Sequence, residues 1–234
     1  GLMDKYVLIV AGGKGLRMGG DLPKQFIPMR GKPLLMHTLE AFHRWDASAR
    51  IILVLPEDHQ PYWNMLCKEI GCKVPHAIVK GGDTRFFSVK NGLDWLLAER
   101  RRKGEEDSGL SLVAVHDGVR PFVSPEVVEA CFDKAAVTGA VIPVVPMIDS
   151  LRETDEKGSH PVDRSRYMAV QTPQVFLLEL LTKAYEQPYS SLFTDDASVV
   201  EAMGHAIDTV PGDRENIKIT TPFDLLIAEA MFAR

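Results

Sequence analysis

The apolar run Tyr6-Val7-Leu8-Ile9-Val10 stops on Ala11-Gly12-Gly13-Lys14-Gly15-Leu16-Arg17-Met18, and Pro23-Lys24-Gln25 follows shortly after. A short β-branched run of this kind fits a buried strand of a parallel sheet. Glycines at its carboxyl end admit positive φ and let backbone N–H groups close on an anion. The same turn brings three cations, Lys14, Arg17 and Lys24, to one end of the sheet. An arginine fork grips phosphate oxygens through paired bonds, and a lysine adds a mobile point charge. Together these are the parts of a loop that holds a nucleoside triphosphate. The glycines alone would serve an ordinary strand-to-helix connection equally well, and each cation alone is most simply a solvated surface charge. Neither standard phosphate-loop pattern occurs, since Met18 stands where a third glycine would complete G-x-G-x-x-G and no G-x-x-x-x-G-K-[ST] exists.

Beyond this turn, apolar runs alternate with amphipathic stretches, the pattern of βαβ units around a largely parallel sheet. Strands are expected at 6–10, 51–55, 74–79, 111–115, 140–145 and 206–210. Helices are expected at 33–45, 59–70, 84–98, 125–138, 177–186, 195–203 and 222–232, several opened by Pro, Ser, Thr or Asp. With 234 residues the chain can bury a full core in a single domain. The run Arg100–Asp107 mixes both charge signs around Gly104 and reads as a solvated loop. A net charge of −5 argues against general nucleic-acid binding, so attraction for anions must come from a local cluster of cations. Three cysteines with no C-x-x-C fit free thiols in a reducing cytoplasm. No apolar run has the length of a membrane span, and no secretory signal pattern opens the sequence.

Two further segments sit where the ends of parallel strands are expected. Gly81-Gly82-Asp83-Thr84-Arg85-Phe86-Phe87-Ser88 offers close backbone approach, a carboxylate and a hydroxyl at a helix start, which suit a planar base edge. A glycine turn with an ordinary Asp83 or Thr84 N-cap is the plainer account of the same residues. His116-Asp117-Gly118-Val119-Arg120-Pro121 follows the apolar run 112–115. Mg²⁺ takes one or two carboxylates, waters and substrate phosphates, so Asp117 alone would suffice as its protein ligand; a purely structural carboxylate stays open. His116 has no second histidine at ligand spacing and is better explained as a hydrogen-bonded packing residue. Between Pro146 and Gln171 the chain is too polar to fill a core. A projecting β-hairpin turning near Lys157-Gly158 and pairing with a two-fold mate is the economical solution, with a loose surface excursion as the alternative.

These motifs, with Val162-Asp163-Arg164, Gln171-Thr172-Pro173-Gln174, Thr194-Asp195-Asp196-Ala197-Ser198 and Asn216-Ile217-Lys218-Ile219-Thr220, run in order through nearly the whole chain. In this the chain resembles the 2-C-methyl-D-erythritol 4-phosphate cytidylyltransferase family. The resemblance implies a single Rossmann-like α/β domain over residues 1–234, its largely parallel sheet flanked by helices, with residues 146–170 forming a projecting β-arm used in dimerisation. It implies transfer of CMP from CTP to an alditol phosphate with Mg²⁺ as cofactor. By the same resemblance Arg17, Lys24, Arg164 and Lys218 are catalytic. Ala11, Gly12, Gly13, Lys14, Gly82, Asp83, Arg85 and Ser88 hold the nucleotide, Lys14 by its location only. Arg120, Ser150, Thr172 and Thr194 line the acceptor site, and Asp117 binds the metal. A homodimer is implied in which Ser150 and Arg164 serve the partner's site.

The chain departs from the family pattern at Gly12, where Ala is common, at Gly118-Val119, where Ala-Ala is frequent, and at Ser150, where Thr is usual. Ribitol-5-phosphate cytidylyltransferase shares most of these motifs and is the alternative activity. A catalytically silent nucleotide-binding dimer is the alternative of another class.

Overall fold

In the run 4–10, Tyr6 and Leu8 point to one side of the backbone and Val7 and Ile9 to the other, and all four are buried. A strand with two buried faces needs helices on both. The computed structural model describes residues 3–12, 22–107 and 109–234 and supplies them. The strands are β1 (Asp4–Val10), β2 (Pro28–Met29), β3 (Lys32–Pro33), β4 (Arg50–Leu55), β5 (Ala77–Lys80), β6 (Ser111–Asp117), β7 (Ala140–Pro146), β8 (Arg152–Asp155), β9 (Gly158–Pro161), β10 (Met168–Val170), β11 (Gln174–Leu177) and β12 (Asp208–Pro211). The helices are α1 (Leu34–Trp45), α2 (Gln60–Ile70), α3 (Arg85–Arg102), α4 (Pro125–Thr138), α5 (Leu178–Ala184), α6 (Asp196–Ala202) and α7 (Pro222–Phe232). Val7 and Ile9 face a cluster built from α1, α2 and α4, through Leu39, Trp63 and Phe132 among others. Tyr6 and Leu8 face α3, α5 and α6, through Phe86, Leu181 and Val200. Among the described residues no helix is long and apolar enough to cross a membrane.

Strands β5, β4, β1 and β6 are parallel neighbours, so the expected βαβ architecture is present. Register aligns Asp117 with Val10, Val10 with Val54 and Val54 with Val79. The turns after β1, β5 and β6 therefore open on one edge, where open α/β sheets bind ligands. Next to β6, the sheet changes direction. Strand β11 runs antiparallel to both β6 and β7, while β12 runs parallel to β7. Opposite β12, the same side of β7 takes β11 at its start and β10 at its end. Val170 pairs with Val144 and Val175 with Val141, so five steps on one strand answer three on the other. The two extra residues fall within Gln171-Thr172-Pro173, and a bulge of this kind re-aims a side chain. Here it turns Thr172 toward the end of β6.

Three expectations need correction. The strand expected at 74–79 begins only at Ala77, because Val74 and the His76 ring are taken up otherwise: His76 Nδ1 bonds the Val74 carbonyl at 2.8 Å. Strands β10 and β11 escaped notice because each is short and lies beside a polar segment. The run Arg100–Asp107 is not a solvated loop throughout, since α3 continues to Arg102 and Arg100 is only 6% exposed. Its guanidinium donates to the Tyr6 hydroxyl at 2.7 Å and to the Glu105 carbonyl at 3.0 Å, satisfying a phenol at the core's margin.

One buried hydrogen-bond chain locks the end of β6. The Asp117 amide donates to Thr172 Oγ1 at 3.1 Å, Thr172 Oγ1 meets His116 Nδ1 at 2.9 Å, and His116 Nε2 meets the Arg120 carbonyl at 3.0 Å. A carbonyl only accepts, so Nε2 carries the proton; in the neutral ring Nδ1 then accepts from the Thr172 hydroxyl. All donors point one way along the chain. Burial pushes the His116 pKa down from 6.5 to about 4, outweighing the favourable contact with the Arg120 carbonyl. Between these values the unfolded chain binds a proton that the fold refuses. This contribution to stability is complete above pH 6.5 and is lost as pH falls toward 4, amounting to about 3 kcal/mol. An NMR titration of the His116 ring should show no inflection above about pH 5, and a midpoint near 6.5 would contradict the assignment.

Candidate functional site

Asp117 ends β6 with its carboxylate facing three cations. Arg120 Nε donates to Oδ2 at 3.0 Å, Arg85 Nη2 lies 3.8 Å from Oδ1, and Lys218 Nζ lies 4.0 Å from Oδ2. Burial alone would raise the Asp117 pKa, but Arg85, then Lys218 and Arg120, hold it at about 2. The carboxylate is thus charged throughout the physiological range. Lys24 reaches the same cluster: its pKa is lowered by burial and then by Lys218, against the pull of Asp117 and Asp224. Four cations face Asp117, the Asp196 partner of Arg85, and Asp224, which leaves one positive charge uncompensated in a chain of net charge −5. Such a local excess recruits an anion.

Each cation is seated by an ordinary structural device. Lys24 opens a single 3₁₀ turn, Lys24–Phe26, anchored by buried Gln25 and Phe26. The Phe26 ring packs on Tyr62 and Trp63 of α2, with centroids 5.1 and 6.4 Å away. Lys218 stands between two anchors. Asn216 Nδ2 donates to the Thr172 carbonyl at 2.8 Å, and the Ile219 amide donates to the Val119 carbonyl at 3.0 Å. Arg120 also donates to the Asn216 carbonyl at 2.8 Å, tying the Lys218 segment to β6. Arg85 occupies the first turn of α3, which Thr84 caps by accepting from the Phe87 amide, leaving Asp83 exposed. Its guanidinium ion-pairs with the fully buried Asp196 at 2.9 Å, and Asp196 accepts from the Tyr185 hydroxyl at 2.6 Å. Burial would lower the Arg85 pKa, but Asp196 and then Asp117 raise it, so this cation is permanent.

The glycines fit a wall against which a ligand can lie. Gly12 has φ +73°, and a side chain there would run into the Gln25 amide, His59 and Pro56, so this chain needs glycine where the family commonly has alanine. At Gly118 an added Cβ would sit 2.9 Å from Ala11 Cβ and 3.0 Å from Leu35, so the tighter packing here excludes alanine as well. The Ala11 amide is held by the Val54 carbonyl at 3.1 Å. Gly82 leaves no room for a Cβ against Phe87, and its amide donates to Ser88 Oγ at 3.0 Å.

The structure therefore brings Lys24, Arg85, Asp117, Arg120, Thr172 and Lys218 together, with Ala11 beside the Asp117-Gly118 turn at the sheet's edge and Gly12 against Gln25, Pro56 and His59. Gly13, Lys14 and Arg17 lie outside the described residues. Thr194 is exposed, two residues before Asp196 at the start of α6. Ser150 and Arg164 lie elsewhere, together lining a cavity of about 510 Å³ at the root of the β8–β9 hairpin. Arg164 donates to the Ile148 carbonyl, and among the described residues no hydrogen bond or ion pair joins it or Ser150 to the Asp117 cluster. The residue that sequence reasoning missed is Asp196. The Asp195-Asp196 doublet held the signal: Asp195 forms the capping box with Ser198, which leaves the second carboxylate free for another task.

A family model described as 2-C-methyl-D-erythritol 4-phosphate cytidylyltransferase matches residues 6–234. The enzyme of that name from Bacteroides fragilis is 56% identical over 229 residues, covering 98% of this chain and 100% of its own. The one from Porphyromonas gingivalis is 52% identical, covering 97% of each. Among solved structures, the 2-C-methyl-D-erythritol 4-phosphate cytidylyltransferase of Thermus thermophilus superimposes with a TM-score of 0.72 at 30% identity over 100% of both chains. The 4-diphosphocytidyl-2C-methyl-D-erythritol synthase of Anaerococcus prevotii gives 0.78 at 26% identity, covering 99% of this chain and 97% of that one. With nearly its whole length matched and more than half its residues shared with a relative, the chain belongs to the 2-C-methyl-D-erythritol 4-phosphate cytidylyltransferase family.

Proposed function

We infer that the chain is a cytidylyltransferase that moves CMP from CTP to the phosphate of 2-C-methyl-D-erythritol 4-phosphate, giving 4-diphosphocytidyl-2-C-methyl-D-erythritol and pyrophosphate for isoprenoid synthesis. The observation that carries this reading is the gathering of Lys24, Lys218, Arg85 and Arg120 around one ionised carboxylate. An oxygen of the acceptor's phosphate attacks the α-phosphorus of CTP in line, and pyrophosphate leaves. The nucleophile is already an anion, so no general base is needed; the barrier lies in bringing two anions together and aligning them. A cation about 4 Å from a developing charge is worth about 4 kcal/mol at an effective dielectric of about 20, which makes Lys24 and Lys218 the main levers.

In this reading Lys24 and Arg17 stabilise charge at the α-phosphorus. Ala11, Gly12, Gly13 and Lys14 hold the triphosphate, and Gly82, Asp83, Arg85 and Ser88 meet the cytidine. Arg120 and Thr194 floor the acceptor site, with Lys218 orienting its phosphate, while Thr172, its hydroxyl taken by Asp117 and His116, braces that floor from beneath. Asp117 is ionised and fits Mg²⁺ as a lone carboxylate; among the described residues no group of three acidic, His or Cys ligands exists, so the nucleotide's phosphates would be the ion's main ligands. When bound, the ion supplies charge neutralisation at the triphosphate. The three free cysteines support a cytoplasmic setting.

The arm supports a homodimer. Every residue of β8 and β9 is exposed, and a hairpin alone is marginal in water. Ile148, Tyr167, Met168 and Val170 around its root are large, apolar and between 43% and 64% exposed, as expected of a surface that a second copy covers. Seated there, the arm would carry Ser150 and Arg164 to the partner's acceptor site. The arm's last residues, 168–170, rejoin their own sheet as β10.

Lys24→Ala and Arg17→Ala should each lower turnover by roughly 10²–10³ with folding retained, as for loss of an electrostatic stabilising group. The check is pyrophosphate release with CTP, Mg²⁺ and either methylerythritol or ribitol phosphate; near-normal turnover acquits the residue, and preference for ribitol phosphate transfers the chain to the other activity. Mixing two inactive variants, Lys24→Ala and Arg164→Ala, should restore about a quarter of wild-type activity, because only the mixed dimer regains one intact site. No recovery on subunit exchange would place Arg164 in its own chain's site.

A further inference from the structure

Helix α2 ends by wrapping on itself. Gly71 takes the left-handed conformation at φ +80°, its amide donates to the Cys67 carbonyl at 3.0 Å, and the Cys72 amide donates to the same carbonyl at 2.9 Å. This six-to-one closure brings the side chains at its two ends into contact, and in most helices that pair is simply apolar. Here both positions are cysteines, so the backbone closure itself apposes the two thiol side chains, with the Cys72 thiol 4.0 Å from the Val74 carbonyl. Both are free and half-buried, flanked by exposed Lys68, Glu69, Ile70 and Lys73, whereas the third cysteine, Cys131, is sealed inside α4.

We propose that Cys67 and Cys72 form a reversible dithiol–disulfide site whose oxidant is a hydroperoxide. The Cys72 thiolate attacks a peroxide oxygen, the O–O bond breaks, and Cys72 becomes a sulfenic acid while the departing hydroxide takes up the thiol proton as water. Cys67 sulfur then attacks Cys72 sulfur, the S–S bond forms and the S–O bond breaks; the hydroxide leaves with the Cys67 proton as a second water. Two thiols thus give two electrons to one hydrogen peroxide, and a small-molecule thiol reverses the change by exchange.

The assignment of roles follows from the surroundings. The neighbouring Cys67 thiol draws the Cys72 thiol down to about 6, with burial and Glu40 opposing and Val74 and Lys32 assisting. The same contact pushes Cys67 up, and burial pushes Cys131 up to about 12. Cys72 is therefore the attacking sulfur and Cys67 the resolving one. The apposition is made by backbone hydrogen bonds, which hold the two cysteines at opposite ends of one closed turn. Nothing in this proposal rests on the transferase reading.

The test uses the full-length reduced chain exposed to hydrogen peroxide and read by intact mass, peptide mapping and thiol counting. The expected result is a loss of about 2 Da, a cross-linked Cys67–Cys72 peptide, a fall from three thiols to one, and full reversal by dithiothreitol. Cys67→Ser should instead accumulate a dimedone-reactive sulfenic acid at Cys72, and Cys72→Ser should react at least about tenfold more slowly. Persistence of both thiols under peroxide, or progress of Cys72 to sulfinic acid while Cys67 stays free, would overturn the proposal.

Discussion

A single buried carboxylate organises this molecule's working edge. Without Asp117, three cations drawn from α3, the β6 turn and the segment before α7 would face one another with only the Asp196 partner of Arg85 to offset them. With it, they approach to 3.0–4.0 Å of one point. The surroundings that hold the carboxylate ionised also leave it outnumbered, so the cluster as a whole stays positive. An interior assembled in this way offsets most of its own charge yet presents the remainder to a ligand. Lys24 is the least settled member, since burial and Lys218 both disfavour its proton. A phosphate arriving between the two lysines would relieve that conflict.

Around this centre the supports are neutral and tied together by buried hydrogen bonds. The chain from the Asp117 amide through Thr172 and His116 to the Arg120 carbonyl fixes the turn from within, and Asn216 fastens the Lys218 segment to the Thr172 carbonyl. The two extra residues between β10 and β11 are what place Thr172 there. A bulge in the one antiparallel stretch of a parallel sheet thus determines how the active edge is braced.

Most of the parallel half of the fold was legible because its strands are apolar runs that break off at glycine, proline or charge, as at 6–10, 51–55 and 111–115. The helices from 125 and from 222 were legible to the residue, since Ser124-Pro125 and Thr221-Pro222 are unambiguous starts. The polar arm was legible as a hairpin because so many charges cannot fill a core and Lys157-Gly158 offers a turn, and the hairpin prevails over a loose excursion. What failed was whatever depended on a partner distant in sequence. Arg100 looks solvated until Tyr6 is placed beside it, and Asp196 looks like a helix cap until Arg85 approaches from α3. Thr172 gave no sign that its hydroxyl would be spent inside the protein, because a register offset leaves no mark in local composition.

The account stands on the claim that the gathered cations are a seat for a triphosphate. A crystal structure with CTP and Mg²⁺ tests it most directly. The account predicts the phosphates lying between Lys24 and Lys218 above Asp117, with cytosine against Gly82 and Ser88. Phosphates bound at another edge of the sheet, with the Asp117 cluster untouched, would contradict it.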